Sequence, residues 1–481
     1  MQTLRLTAVL ALALALPGAA PKPATIRDQA LATLKKAATY YHSKVARHGG
    51  YVYYTSPDLS ERWGEGKHSV ETVEVQPPGT PAVGMAYLKA YNATKDPFYL
   101  EAAKDAALCL VQGQLKSGGW RHTIHFAPPA KGQMGDYRKR AGGSDKRSSL
   151  DDDQTQSAMQ CLIQADEALE QKNAEIHEAA LFALDGLMKA QFANGAFPQG
   201  WVGPAPVHPI VKPKYPDYEW RTFKKEEYHK SYWDYYTLND DLATTLCDTL
   251  LEAIRVYKDP KHTEALKKLG DFLILAQMPD PQPGWCQQYN YEMIPIWARK
   301  FEPPGLSGGE GQGVMETLMV IHQKTGDKKY LEPLPRAIEY YKKSLLPDGQ
   351  FARYYELKTN KPLYMVRKSK ELYELTYDDS NLPTHYGFKR PSRLAAIEAE
   401  YKRLTSGAAP APAAPARTPA ELEAAVKKAI AALDGEGRWI TISDGGKIVG
   451  QPDFKAGTKF IDGRAFNENV ATLSEYLAQT K

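Results

Sequence analysis

The chain has 481 residues, a formal net charge of +4 and a hydrophobic fraction of 43%. That is the profile of a soluble globular protein, with room for one large domain and an appendage or for two or three ordinary domains. A charge this small for the length argues against a dedicated nucleic-acid binder, though it leaves room for a local basic cleft.

Taken in order, the chain opens with Met1 to Arg5, an apolar run from Leu6 to Leu16, then Pro17-Gly-Ala-Ala20. This is the pattern of a secretory signal over residues 1–20. The run is too short to span a bilayer, and no later run is long enough. The expectation is a monomer secreted to a periplasm or outside the cell, with no membrane span. Four cysteines follow, Cys109, Cys161, Cys247 and Cys286. The first three sit in apolar helical patterns, and the spacing suits neither a disulfide scaffold nor a zinc site, so buried free thiols are expected.

From Thr25 onward, apolar residues recur at three- and four-residue spacing over 26–46, 81–91, 99–112, 155–169, 176–190, 241–257, 263–276, 311–324, 330–345 and 393–404. Each stretch predicts a helix. Gly-aromatic loops recur between them: Gly118-Gly-Trp120, Asn194-Gly-Ala-Phe197, Pro283-Gly-Trp285 and Asp348-Gly-Gln-Phe351. A glutamine (Gln114, Gln191, Gln277) leads into three of the four. The period is too long and irregular for a common solenoid. It fits an all-α-dominated fold, an incomplete α/α toroid of the (α/α)3 type over residues 21–405, with short β segments in its loops. Residues 406–418 read as an extended Pro/Ala linker. Residues 419–481 open on an N-cap Thr418 followed by Pro419, continue to a short hairpin, and read as a small C-terminal appendage.

The chemistry-bearing residues fall in loops. Asp151-Asp-Asp153 and Asn239-Asp-Asp241 each stand before a helix. One aspartate suffices to cap a helix. Two or three together repel one another unless solvated or sharing a cation, and an oxygen-only set suits Ca²⁺ or Mg²⁺. The aromatic, basic stretch Tyr289 to Glu310 carries Trp297, Arg299 and Lys300, and Arg353 lies in Phe351-Ala-Arg-Tyr-Tyr-Glu. Flat rings with interleaved cations suit an acidic carbohydrate. The Asp136–Arg147 loop reads as a solvated charged loop.

These motifs, in this order, resemble the pectate lyases of polysaccharide lyase family 10: Asp-Asp-Asp153-Gln-Thr-Gln, Asn-Gly-Ala-Phe-Pro-Gln199, Thr237-Leu-Asn-Asp-Asp241, Trp285-Cys-Gln-Gln-Tyr289, Pro295-Ile-Trp-Ala-Arg-Lys-Phe-Glu302 and Phe351-Ala-Arg-Tyr-Tyr-Glu. The resemblance implies calcium-dependent β-elimination on polygalacturonate. It implies Asp151 or Asp152, with Asp240, as Ca²⁺ ligands, and Asp240 beside the substrate carboxylate. Arg299 is implied as the base and Arg353 as a carboxylate holder, with Trp297 and Lys300 on the substrate. Lys300 stays open as an alternative base. Hydrolysis by an Asp152–Asp240 pair and uronate binding without catalysis are the rival readings. Departures from the family pattern are Phe197 in place of tryptophan, an insertion over 201–230, and a reworked segment after Arg367.

Overall fold

Away from the carboxylate clusters, helix starts follow simple local chemistry. Asp96 accepts from the Phe98 N–H, Asp259 from the Lys261 N–H and Asn173 from the Ile176 N–H. Each satisfies a donor that the first helical turn leaves without an intrahelical partner. The computed structural model describes residues 24–222, 232–369, 372–384, 386–407, 417–446 and 454–480. The expected signal segment and most of the Pro/Ala link lie outside the described residues.

The helices are α1 (Ile26–Tyr40), α2 (Thr80–Thr94), α3 (Pro97–Gly113), α4 (Gln154–Ala168), α5 (Ala174–Ala190), α6 (Leu242–Tyr257), α7 (Pro260–Leu275), α8 (Glu310–Thr325), α9 (Leu334–Ser344), α10 (Leu394–Thr405), α11 (Pro419–Ala432) and α12 (Gly463–Gln479). Helices α2, α4, α6 and α8 pack in succession as an inner layer, with α3, α5 and α7 behind them. This is the α/α toroid that the paired helix pattern predicts. Small residues let the layers approach closely: a Cβ on Gly84 of α2 would stand 2.6 Å from the Cys161 sulfur of α4. All four cysteines are free and buried. Burial pushes the thiols of Cys109, Cys161 and Cys247 up to about 12, so they act as apolar filler.

The recurrent glutamines set the pitch of the ring. Gln114 Nε2 donates to Gly118 O in its own loop and to Ala179 O in α5. Gln191 does the same to Gly195 O and Ala265 O, and Gln277 to Pro283 O and Pro333 O. Each amide closes one loop and ties it to the next helical pair. Because it is satisfied on both sides, it holds the loops in register.

The C-terminal segment, expected as an appendage, begins with the Thr418/Glu421 capping box. Strand Lys459–Asp462 pairs with Tyr54–Thr55. Helix α12 packs along α2 and α1, with Phe466 stacked on Tyr41 at 3.8 Å and Val470, Leu473 and Leu477 buried.

Candidate active site

The site is built where two connections enter inner helices. Before α4, Asp152 and Asp153 have φ of 45° and 61°; before α6, Asp240 and Asp241 have 52° and 54°. The left-handed region is uncommon outside glycine, and asparagine and aspartate tolerate it best. Neither Asp153 nor Asp241 caps its helix with its side chain. The carboxylates are turned away from the helix ends, and that costs backbone strain of the kind concentrated at working sites.

Asp240 sits between two arginines. Its Oδ2 is 3.8 Å from Arg299 Nη2 and its Oδ1 is 3.6 Å from Arg353 Nη2, with a side chain only 14% exposed. Asn239 Nδ2 donates to Asp240 Oδ2 at 2.5 Å. Burial pushes the Asp240 carboxyl well above the usual carboxylate range, and the charges of Asp152 and Asp151 add to this against the pull of Arg299.

Arg299 stands in a tight turn closed by the Glu302 N–H donating to Arg299 O at 2.8 Å. Its Nε and Nη2 form a two-point contact with the Glu302 carboxylate at 2.8 and 2.6 Å. That leaves Nη1 without a protein partner among the described residues. Burial alone would raise the Glu302 carboxyl. The Arg299 charge and hydrogen bonds, with the Tyr386 hydroxyl at 2.7 Å, outweigh it and hold the carboxyl at about 2. The turn is anchored by the Trp297 indole, which donates to Trp220 O at 2.6 Å. Strand Gln288–Tyr289, paired with Tyr236–Thr237, ties it to the Asp240 junction.

Arg353 lies between two short strands, one paired with Leu306–Ser307 and the other with Lys389–Arg390. Its Nη2 donates to Glu310 at 3.0 Å, and its guanidinium stacks 4.1 Å from the Tyr386 ring centre. The Arg353 Nε is buried and has no hydrogen-bond partner among the described residues. Opposite, no arginine among the described residues forms an ion pair with the first cluster. Gln199 donates to Asp151 at 2.5 Å and Gln76 to Asp152 at 3.4 Å. Asp152 is exposed at the rim, yet desolvation by the surrounding protein and the Asp151 charge push its carboxyl up to about 6, against Arg299. Burial, then Asp248 and Asp152, push Asp153 up to about 7.

The structure thus brings Arg299, Arg353 and Asp240 together, and places Asp151 and Asp152 close enough for their charges to act on Asp240. Trp297 is 1% exposed; its ring is part of the wall that fixes the Arg299 turn, not a face open to a sugar. Lys300 Nζ lies 5.8 Å from the Tyr373 ring centre. Several participants are not singled out by sequence reasoning: Gln76, Glu302, Glu310, Tyr386 and Gln287, whose Nε2 donates to Glu302 at 3.1 Å. The Arg299-x-x-Glu302 spacing is the one readable signal among them, because a turn closes exactly such a pair. Among the described residues, no group of three or more His, Cys, Asp or Glu side chains is assembled as a metal site. The donor set nonetheless fits a hard cation: aspartates whose charges raise one another, with the Gln199 amide oxygen buried beside them and unpartnered among the described residues.

Residues 114–349 match the family model described as pectic acid lyase. This segment belongs to the pectic acid lyase family. The protein is therefore a polysaccharide lyase, and the clustered aspartates and arginines all lie in or just beyond the matched segment. Similar solved structures include a mutant of the family 10 polysaccharide lyase from Cellvibrio cellulosa in complex with trigalacturonic acid (17% identity, 68% of this chain and 97% of that one, TM-score 0.45). D-mannose isomerase is 14% identical over 95% and 99% of the two chains, at a TM-score of 0.47. Cellobiose 2-epimerase from Spirochaeta thermophila is 14% identical over 94% and 97%, at 0.46. No curated protein matches the sequence.

Proposed function

We propose that this lyase is a secreted, monomeric, calcium-dependent pectate lyase that cleaves α-1,4-linked polygalacturonate by β-elimination, leaving a 4,5-unsaturated sugar at the new end. The observation that carries this reading is Asp240 held between Arg299 and Arg353, facing a carboxylate cluster with which no arginine forms an ion pair among the described residues. Elimination next to a carboxylate builds negative charge on that carboxylate as the C5 proton leaves, so cations must face it.

Asp151, Asp152 and Asp240 would hold Ca²⁺, which when bound supplies positive charge to the uronate carboxylate. Arg353, fixed by Glu310 and the Tyr386 ring, supplies positive charge toward a uronate carboxylate. Arg299 presents Nη1 as the base for the C5 proton. In the free protein Glu302 and Asp240 hold Arg299 well above its ordinary range, which opposes proton acceptance. A cation at Asp240 removes one of those two contributions, and substrate excludes water from the guanidinium, which disfavours its charge. Glu302 meanwhile fixes the orientation of the fork. The test is direct. Polygalacturonate with Ca²⁺ should give the ultraviolet absorbance of a double bond conjugated to a carboxylate, abolished by a chelator. New reducing ends without that absorbance would mean hydrolysis.

A further inference from the structure

The cleft does not end at the aspartate cluster. Beside Asp151 lies a cavity of about 460 Å³ whose wall includes Glu65, Arg121, His122, Arg147 and Trp233. A second cavity of about 700 Å³ shares Arg121 and His122 and continues past Lys131. The two abut, and together they form a groove leading away from Asp151.

Arg147 makes both of its protein contacts through Nη1, to Asp234 at 2.5 Å and to Gly200 O at 3.3 Å. Its Nε–Nη2 edge has no protein partner among the described residues. Arg121 reaches Asp145 through Nη1 at 3.1 Å. Both arginines are about a third exposed, at 35% and 32%. Half-exposed ion pairs contribute little to stability and exchange readily for another carboxylate. The planar guanidinium fork matches a carboxylate at two points, which a solvated lysine does not. Trp233 is half-buried in the same wall, and an indole face suits a pyranose ring. Glu65 and Asp151 share the wall, so the groove repels a dense polyanion. It accepts a ligand whose carboxylates are separated by hydroxyl-bearing stretches, as in a uronate polymer.

We propose that Arg121 and Arg147, with Trp233 as the stacking face, form a distal uronate subsite that gives this lyase a preference for long chains. The proposal rests on the polygalacturonate reading above. It takes Arg147, in a loop whose charges suggest simple solvation, and assigns it to the substrate.

The experiment measures initial elimination rates on galacturonate oligomers from trimer to octamer for the wild-type chain, Arg121→Gln, Arg147→Gln and Arg147→Lys. The wild-type kcat/KM rises with length. Each Gln variant loses about tenfold on the octamer through KM, while its trimer rate is unchanged, which also shows that it folds. Arg147→Lys, with the charge but not the fork, falls between. A wild-type rate indifferent to length, or Gln variants that keep the wild-type length profile, would overturn the subsite. Should no oligomer yield the unsaturated product, the elimination reading fails, and calorimetric binding of hexamer against trimer still decides the subsite. Tighter hexamer binding that Arg147→Gln abolishes sustains it; equal binding removes it.

Discussion

The two connections that enter α4 and α6 share a backbone and differ in charge. Both place consecutive aspartates in the left-handed region, and both leave the helix end without a side-chain cap. At the second, Asp240 is matched by Arg299 and Arg353. At the first, Asp151 and Asp152 are met by the amides of Gln199 and Gln76. One backbone device therefore serves two settings: at one junction the carboxylate is matched by protein cations, and at the other by neutral amides. The contrast with Asp96 and Asp259, which cap their helices in the ordinary extended conformation, shows that these two junctions are built differently from an ordinary helix start.

The sharpest way to break this contrast is to remove its charged members one side at a time. Arg299→Ala should lower kcat by about 10³-fold, and added calcium should not restore it. Asp152→Asn should behave differently, raising the calcium concentration for half-maximal rate on the order of 10–100-fold, with the rate recovered in excess calcium. Calcium titrations of the initial rate separate the two patterns. If calcium rescues Arg299→Ala, the arginine acts through the metal site and not on the substrate.

How much of this was legible beforehand follows from where each signal is local. Helical stretches were readable because periodic burial is written in neighbouring residues, and the repeated Gln114, Gln191 and Gln277 marked the ring's pitch before their bonds were visible. The Asp151–Asp153 and Asp240 clusters were visible as unexplained charge. Glu310 and Tyr386, which flank Arg353, were not, because nothing in their own surroundings marks a contact made by a residue far off in the chain. Helix α12 was overlooked despite its Phe466, Val470, Leu473 and Leu477 periodicity, since a marginal tail core gave no hint that α2 supplies the other half. Trp297 misled for a related reason: an aromatic in a basic loop looks the same in sequence whether its ring faces a ligand or a neighbouring carbonyl.

The Glu302 carboxylate tests whether the arginine side is held by its partner. Its folded value of about 2 lies below its ordinary 4.5, so its contribution is complete above pH 4.5 and is lost as pH falls toward 2. Glu302→Gln should cost roughly 3 kcal/mol at neutral pH and shrink as pH is lowered through that window, which denaturant melts at several pH values would record. A pH-independent loss would mean that the effect is packing, not charge.

The smallest effect probes the strain itself. Asp96→Ala removes an ordinary cap and should cost about 1 kcal/mol. Asp153→Gly removes no cap, relieves a positive φ, and deletes a half-buried carboxyl whose buried Oδ1 has no hydrogen-bond partner among the described residues. Against these gains stands the greater freedom of glycine in the unfolded chain, so the net change in stability should stay within about 0.5 kcal/mol. Paired thermal melts without calcium compare the two variants directly. If Asp153→Gly costs more than Asp96→Ala, the left-handed aspartates hold the fold together and their geometry is not a concession to the site.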